Sequence, residues 1–144
     1  MVHVAIMKKS WGLLEKILSG EKIIESRWYL SKRAPWNHIF PNEEVYFKNS
    51  GEPVTVKSKV KQILQFSDLT PQKVKVILQK FGTEDGISSE ELPKYYELFK
   101  DKKYCMLIYL KEIKKVKPFP INKKGFGLQS AWLISEDIKK LKIY

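Results

Sequence analysis

The chain has 144 residues, of which 43% are hydrophobic and 12% aromatic, with a formal net charge of +11. That length suits one domain over residues 1–144, and the aromatic content excludes a disordered chain. No apolar stretch reaches the roughly 18 residues of a membrane helix, and the single cysteine, Cys105, excludes an internal disulfide.

His3 to Met7 is a short apolar run that predicts a first strand. Two lysines follow the run, the reverse of a secretory signal, so a cytoplasmic location is expected. Ser10 is placed to cap a helix whose Trp11, Leu14, Ile17 and Leu18 share a face, and Gly20 stops it. Lys22 to Tyr29 reads as a strand, Leu30 to Asn42 as a long loop, and Glu43 to Lys48 as a strand closed by the turn Asn49-Ser50-Gly51.

From Val54 to Phe66, the set Val54, Val56, Val60, Leu64 and Phe66 alternates with Lys57, Lys59 and Lys61, predicting one long, bent strand. Thr70 caps a helix with Pro71 at its first position and Val74, Ile77, Leu78 and Phe81 as its buried stripe. A second helical piece spans Ser88 to Lys100, where Ser88 and Glu91 have capping-box spacing but Pro93 sits deep for that start. Tyr104 to Val116 is a second long strand, Ala131 to Ser135 a short one, and a last helical turn has Glu136 and Asp137 early and lysines late. Strands in runs, without strict helix alternation, indicate an α+β fold. The expected form is a closed or nearly closed barrel of about five or six mostly antiparallel strands with two or three peripheral helices.

Charge is uneven: about +5 over residues 1–66, −2 over 67–101 and +8 over 102–144. Such an excess favours polyanionic partners through counterion release. A lysine- and glutamate-rich surface of a heat-adapted organism would give the same total.

The segment Gly20-Glu21-Lys22-Ile23-Ile24-Glu25-Ser26-Arg27-Trp28 joins the first helix stop directly to a strand. Alternation puts Glu25 and Arg27 on one face, where they can lock each other's rotamers and leave guanidinium donors free for phosphate or a base edge. It puts Lys22 on the other face, so joining all three requires a bend at the strand's start. A surface ion pair of little energetic weight is the plainer alternative. Trp28 and the loop residue Trp36 are candidates for stacking on a base, or else core residues. Ser130, after the two glycines of Gly125-Phe126-Gly127, offers a hydroxyl. His3 and His38 have no partners at ligand spacing, so neither a metal nor a cofactor is expected, and Cys105 reads as core.

Gly20-x-Lys22-x-x-Glu25-x-Arg27 resembles the GxKxxExR signature of the ASCH domain, within the PUA-like superfamily of small β-barrels. Its setting, after a strand and an amphipathic helix and entering a second strand, agrees with that family. The resemblance implies a cleft beside the barrel that holds RNA or a nucleotide, with recognition of a modified base as one form. Arg27 would then read phosphate or a base edge, Glu25 would orient it, and Lys22 would be a second phosphate contact, with Trp28, Trp36 and Ser130 adjoining. Some family members are amidohydrolases of acetylated cytidine nucleosides that use a lysine, a threonine nucleophile and a distant glutamate; ribonuclease activity is also implied. Lys22 matches that lysine, whereas Glu25 stands where the threonine would be and cannot serve as a hydroxyl nucleophile. A hydrolase acting on a nucleic-acid component, with Lys22 as general base and Glu25 beside it, is therefore the alternative.

Overall fold

A computed structural model describes residues 1–127 and 130–143. Among them the chain forms β1 (Val2–Met7), α1 (Leu13–Ser19), β2 (Ile24–Tyr29), β3 (Glu44–Asn49), β4 (Val54–Phe66), α2 (Pro71–Phe81), α3 (Leu92–Phe99), β5 (Tyr104–Phe119) and β6 (Trp132–Ser135). Short 3-10 turns occupy Lys9–Trp11 and Ile138–Lys140. The strands make one sheet in the order β2-β5-β4-β3-β1-β6. Its β1–β3 pair is parallel and the other pairs are antiparallel.

The sheet curls into a half-barrel, so the fold is α+β as expected, with a seam left between its outer strands rather than full closure. β5 explains why its apolar run is unbroken. Met106, Ile108 and Leu110 fill the barrel interior with Phe47, Val56 and Val60. Cys105 and Leu107 face the opposite way, under Val74, Ile77 and Leu78 of α2. A third cluster joins Val2 and Val4 to Leu133 and Leu141.

Several expected details differ. Ser10 caps nothing: it lies in the 3-10 turn, and α1 starts after Gly12, whose φ of 64° suits a residue without Cβ. The apolar set of β4 does not keep one face. The register slips between Val60 and Gln62, so Val60 points into the barrel while Leu64 and Phe66 pack under the helices. α3 begins at Leu92, not Ser88. The capping box still forms ahead of it: the Glu91 carboxylate accepts from the Ser88 N–H at 3.1 Å, and the Glu91 N–H donates to Ser88 Oγ at 3.3 Å. Pro93 thereby falls in the first helical turn, where its missing N–H costs nothing. Thr70 caps α2 as expected, Oγ1 accepting from the Lys73 N–H. No helix among the described residues is long and apolar enough to cross a membrane.

His3 is a polar group fully inside this packing, with 0% of its surface exposed. The Trp132 indole N–H donates to its Nδ1 at 3.0 Å, which leaves the proton on Nε2, facing Glu43 at 2.9 Å. Burial holds the His3 pKa below its ordinary value, against the pull of Glu43. The unfolded chain therefore takes up this proton first, and stability is lost as pH falls below about 6.5 towards the lowered folded value. Thermal melts from about pH 7.5 to about pH 5.5 will show a fall in midpoint that the His3→Gln variant shows less steeply; equal slopes would sink this account.

Candidate functional site

β2 is an outer strand of the sheet, paired to β5 alone. The Leu110 N–H donates to the Ile23 carbonyl at 2.9 Å. In that register Glu25 and Arg27 turn their backbone groups to β5, while Ser26 and Trp28 turn theirs to the free edge. Across the seam stand Ile6 and Met7, at the end of β1, and Ala131. A cavity of about 290 Å³ lies between these two margins and is lined from both.

Lys22 precedes β2, and the chain bends there, so it joins Glu25 rather than facing away from it. Only 1% of Lys22 is exposed. Its ammonium donates to the Asp85 carboxylate and to the Asp85 carbonyl at 2.9 Å, and lies 3.3 Å from Glu25 Oε1. The other Glu25 oxygen accepts from Arg27 at 2.8 Å. The Arg27 guanidinium then reaches the Ile6 carbonyl and the Ala131 carbonyl, each at 3.4 Å, and lies over the Trp132 ring at 5.1 Å. Arg27 thus ties one margin of the seam to the other. Its Nε is buried with no hydrogen-bond partner.

Asp85 comes from the turn between α2 and α3. Gly86 lets that turn press against Lys22: its φ is +77°, and a Cβ there would stand 2.9 Å from Lys22 Cβ. The second Asp85 oxygen accepts from Ser26 Oγ at 2.6 Å, and Ser26 Oγ in turn accepts from the Trp28 indole N–H at 3.2 Å. Burial alone would lower the Lys22 pKa, but the charges of Asp85 and Glu25 outweigh it and raise it above the usual lysine value. A raised Lys22 pKa favours the charged ammonium, the opposite of what a general base at this position needs.

The opposite wall is aromatic. Trp28 stacks on Phe99 at 4.8 Å and 5°, Phe99 on Tyr95 at 5.9 Å, and Trp11 meets Tyr95 edge-on at 5.7 Å. The structure therefore brings Lys22, Glu25, Arg27 and Trp28 to one cavity. It does not bring Trp36, which is buried in the barrel core against Tyr104. Nor does it bring Ser130, whose hydroxyl donates to the Trp132 carbonyl at 3.2 Å; its expected segment continues through residues 128 and 129, which lie outside the described residues. With every donor of Lys22 directed at a protein oxygen, the expected phosphate contact from Lys22 is not available.

Sequence reasoning missed Asp85, Ser26 and the Trp11–Tyr95 wall. Thr83-Glu84-Asp85-Gly86 reads as a solvated turn, and Gly86 is the sole local sign that it approaches another segment. Trp11 lies in the 3-10 turn ahead of α1 rather than in the helical stripe expected of it.

Comparison with solved structures places the fold. The ASCH protein of Zymomonas mobilis superposes with a TM-score of 0.62 at 17% identity, over 96% of this chain and 91% of that one. A variant of the same protein superposes at 0.61 and 16% identity, over 91% and 87%. The N-terminal domain of Staphylothermus marinus McrB superposes at 0.51 and 17% identity, over 81% and 75%. No family model matches the sequence, and no curated protein matches it. The fold is ASCH-like, as the signature at Gly20 to Arg27 implied.

Removing one partner of a buried ion pair strands the other charge, at about 3–5 kcal/mol. Asp85→Ala is expected to destabilise towards the lower end, near 3 kcal/mol, because Glu25 remains beside Lys22. Lys22→Met/Asp85→Leu should recover most of that loss. Urea unfolding of both variants checks this; a double variant no more stable than Asp85→Ala would mean the two groups are uncoupled.

Proposed function

We propose that this chain of ASCH-like fold binds RNA by taking one unpaired base, or a free nucleoside or nucleotide, into the seam cavity. The observation that carries the reading is the cavity's two-sided lining. A stacked aromatic wall faces a cluster in which two cations, Lys22 and Arg27, are balanced by two carboxylates, Glu25 and Asp85. A flat, uncharged heterocycle suits such a space: its faces meet aromatic rings and its edge meets fixed hydrogen-bonding groups. The free backbone edge at Ser26 and Trp28 supplies donors and acceptors for that edge. A volume of about 290 Å³ lies at the small end of ligand sites, which fits one base or nucleoside and excludes a duplex.

A second reading, a hydrolase acting on an acylated nucleic-acid component, is favoured by one contact. Ser26 Oγ directs its proton at a buried carboxylate, Asp85, on the cavity wall. In that reading Ser26 Oγ adds to the acyl carbon, its proton passes to Asp85 and on to the departing amine, and water then hydrolyses the ester. Lys22 would fix Asp85, and Glu25, the other expected catalytic group, would fix Lys22 and Arg27. Incubation with N-acetylated cytidine followed by mass measurement distinguishes the readings: deacetylation abolished by Ser26→Ala supports the enzyme, and unchanged substrate supports binding alone.

Single-stranded RNA should bind more tightly than duplex DNA. Trp11→Ala, at a partly exposed position of the aromatic wall, should weaken RNA binding by about 1–3 kcal/mol, the usual worth of one stacked base. Titration of labelled oligonucleotides with folded variants tests this; equal affinity for both nucleic acids together with no effect of Trp11→Ala would remove the cavity from the account.

A further inference from the structure

The four buried charges of the cavity cancel, and the remaining cation in its lining, Lys8, is exposed over the Trp11 ring at 5.3 Å, so holding the phosphates of a longer strand calls for further cations elsewhere on the surface. β4 and β5 carry a candidate. Lys57 lies opposite Lys114, and Lys59 opposite Lys111. Directly opposed residues of an antiparallel pair share a face, and like charges there repel. Lys57 and Lys59, two apart, share that face by simple alternation. Lys111 and Lys114 are three apart and would fall on opposite faces in a regular strand. The register shift between Lys57 and Lys59 restores them to one face, and Glu112 takes a φ of 52° within it. A bulge at this place helps to bend a barrel strand, but curvature does not require lysine at all four positions.

The carboxylates near the four lysines do not neutralise them all. Glu44 sits opposite Lys59 in the β3–β4 register, yet its carboxylate goes to Lys57 at 2.5 Å. Lys111 donates to the Asn42 side-chain oxygen at 2.6 Å, a neutral partner. Among the described residues, Lys59, Lys111 and Lys114 have no carboxylate within ion-pair distance, and Glu112 pairs with none of the four. A depression of about 340 Å³ opens on this face, with Lys57, Lys59 and Lys114 in its lining and Glu44 and Glu112 beside them.

We infer that this lysine face of β4 and β5 is a second contact site, which holds the phosphodiester backbone of a nucleic-acid strand. The identity of the polyanion rests on the reading of the cavity as an RNA site; the place of the contact rests on the lysine geometry alone. Lysine is a compact point charge without the planar fork that reads base edges. A lysine face without arginine or exposed aromatic residues neutralises backbone phosphates and reads no sequence. The two sites divide recognition: the cavity selects a base, and the lysine face holds the strand, which relieves repulsion that the free protein bears.

The test is the salt dependence of binding for a labelled single-stranded RNA. Each phosphate contact on a single strand contributes about 0.7 to the slope of log affinity against log salt. Lys59→Gln/Lys114→Gln should therefore lower that slope by about 1.4, raise the thermal midpoint by relieving repulsion, and leave binding of a free nucleoside unchanged. Lys139→Gln/Lys140→Gln, a pair of lysines away from these strands, should leave the slope near that of the unaltered protein. An unchanged slope in the first variant overturns the inference, as does an equal fall in both. Competition by polyglutamate at the same charge concentration as RNA, or full competition by inorganic phosphate at low millimolar levels, also overturns it, because either would make the lysine face a general anion surface. If Trp11→Ala has no effect while Lys59→Gln/Lys114→Gln still lowers the slope, the cavity reading fails and the lysine-face contact stands.

Discussion

Four charges of alternating sign, Asp85, Lys22, Glu25 and Arg27, hold together three parts of the chain that share no strand pairing. Asp85 brings the α2–α3 turn to the start of β2, and Arg27 carries the link across the seam to Ile6 and Ala131. Any one of these groups buried alone would cost several kcal/mol. Together they are tolerated because each carboxylate faces a cation and most remaining donors find a carbonyl. The seam of the half-barrel stays open wide enough to be a cavity, yet it is tied at a defined width.

The same cancellation decides what the cavity can attract. A cleft lined with free cations would draw phosphate. This one presents aromatic faces, a free strand edge, four charges already committed to one another and an exposed cation, Lys8, over the Trp11 ring. Such a lining suits discrimination by shape and hydrogen bonding, with the Lys22 ammonium already held by Asp85 and Glu25. The excess of positive charge lies instead on strand faces and in the last third of the chain, where lysines stand opposite lysines.

Bulges in β4 and β5 connect fold and surface. The slip near Val60 hands the apolar face of β4 from the barrel interior to the helices, so one long strand serves two cores. The slip between Lys57 and Lys59 aligns lysines that a regular strand would send to both sides. The Trp132–His3–Glu43 chain adds a further link, since Arg27 lies over the ring whose N–H fixes the His3 tautomer.

Local sequence determined much of the architecture. Thr70 and Pro71 start α2, Gly20 stops α1, and the apolar runs of β1, β4 and β5 are visible because caps, breakers and alternation act over a few residues. The spacing of Lys22, Glu25 and Arg27 also marked the site, through the ASCH-like signature. What remained hidden depends on contacts between distant segments. Trp36 and Trp28 look alike in sequence, yet one is barrel core and the other cavity wall, because only the packing of neighbouring elements decides which face of an aromatic is covered. Asp85 could not be found, since its partner lies 63 positions away in the chain. A turn carboxylate reads as solvated until tertiary structure removes the water and puts an ammonium ion against it.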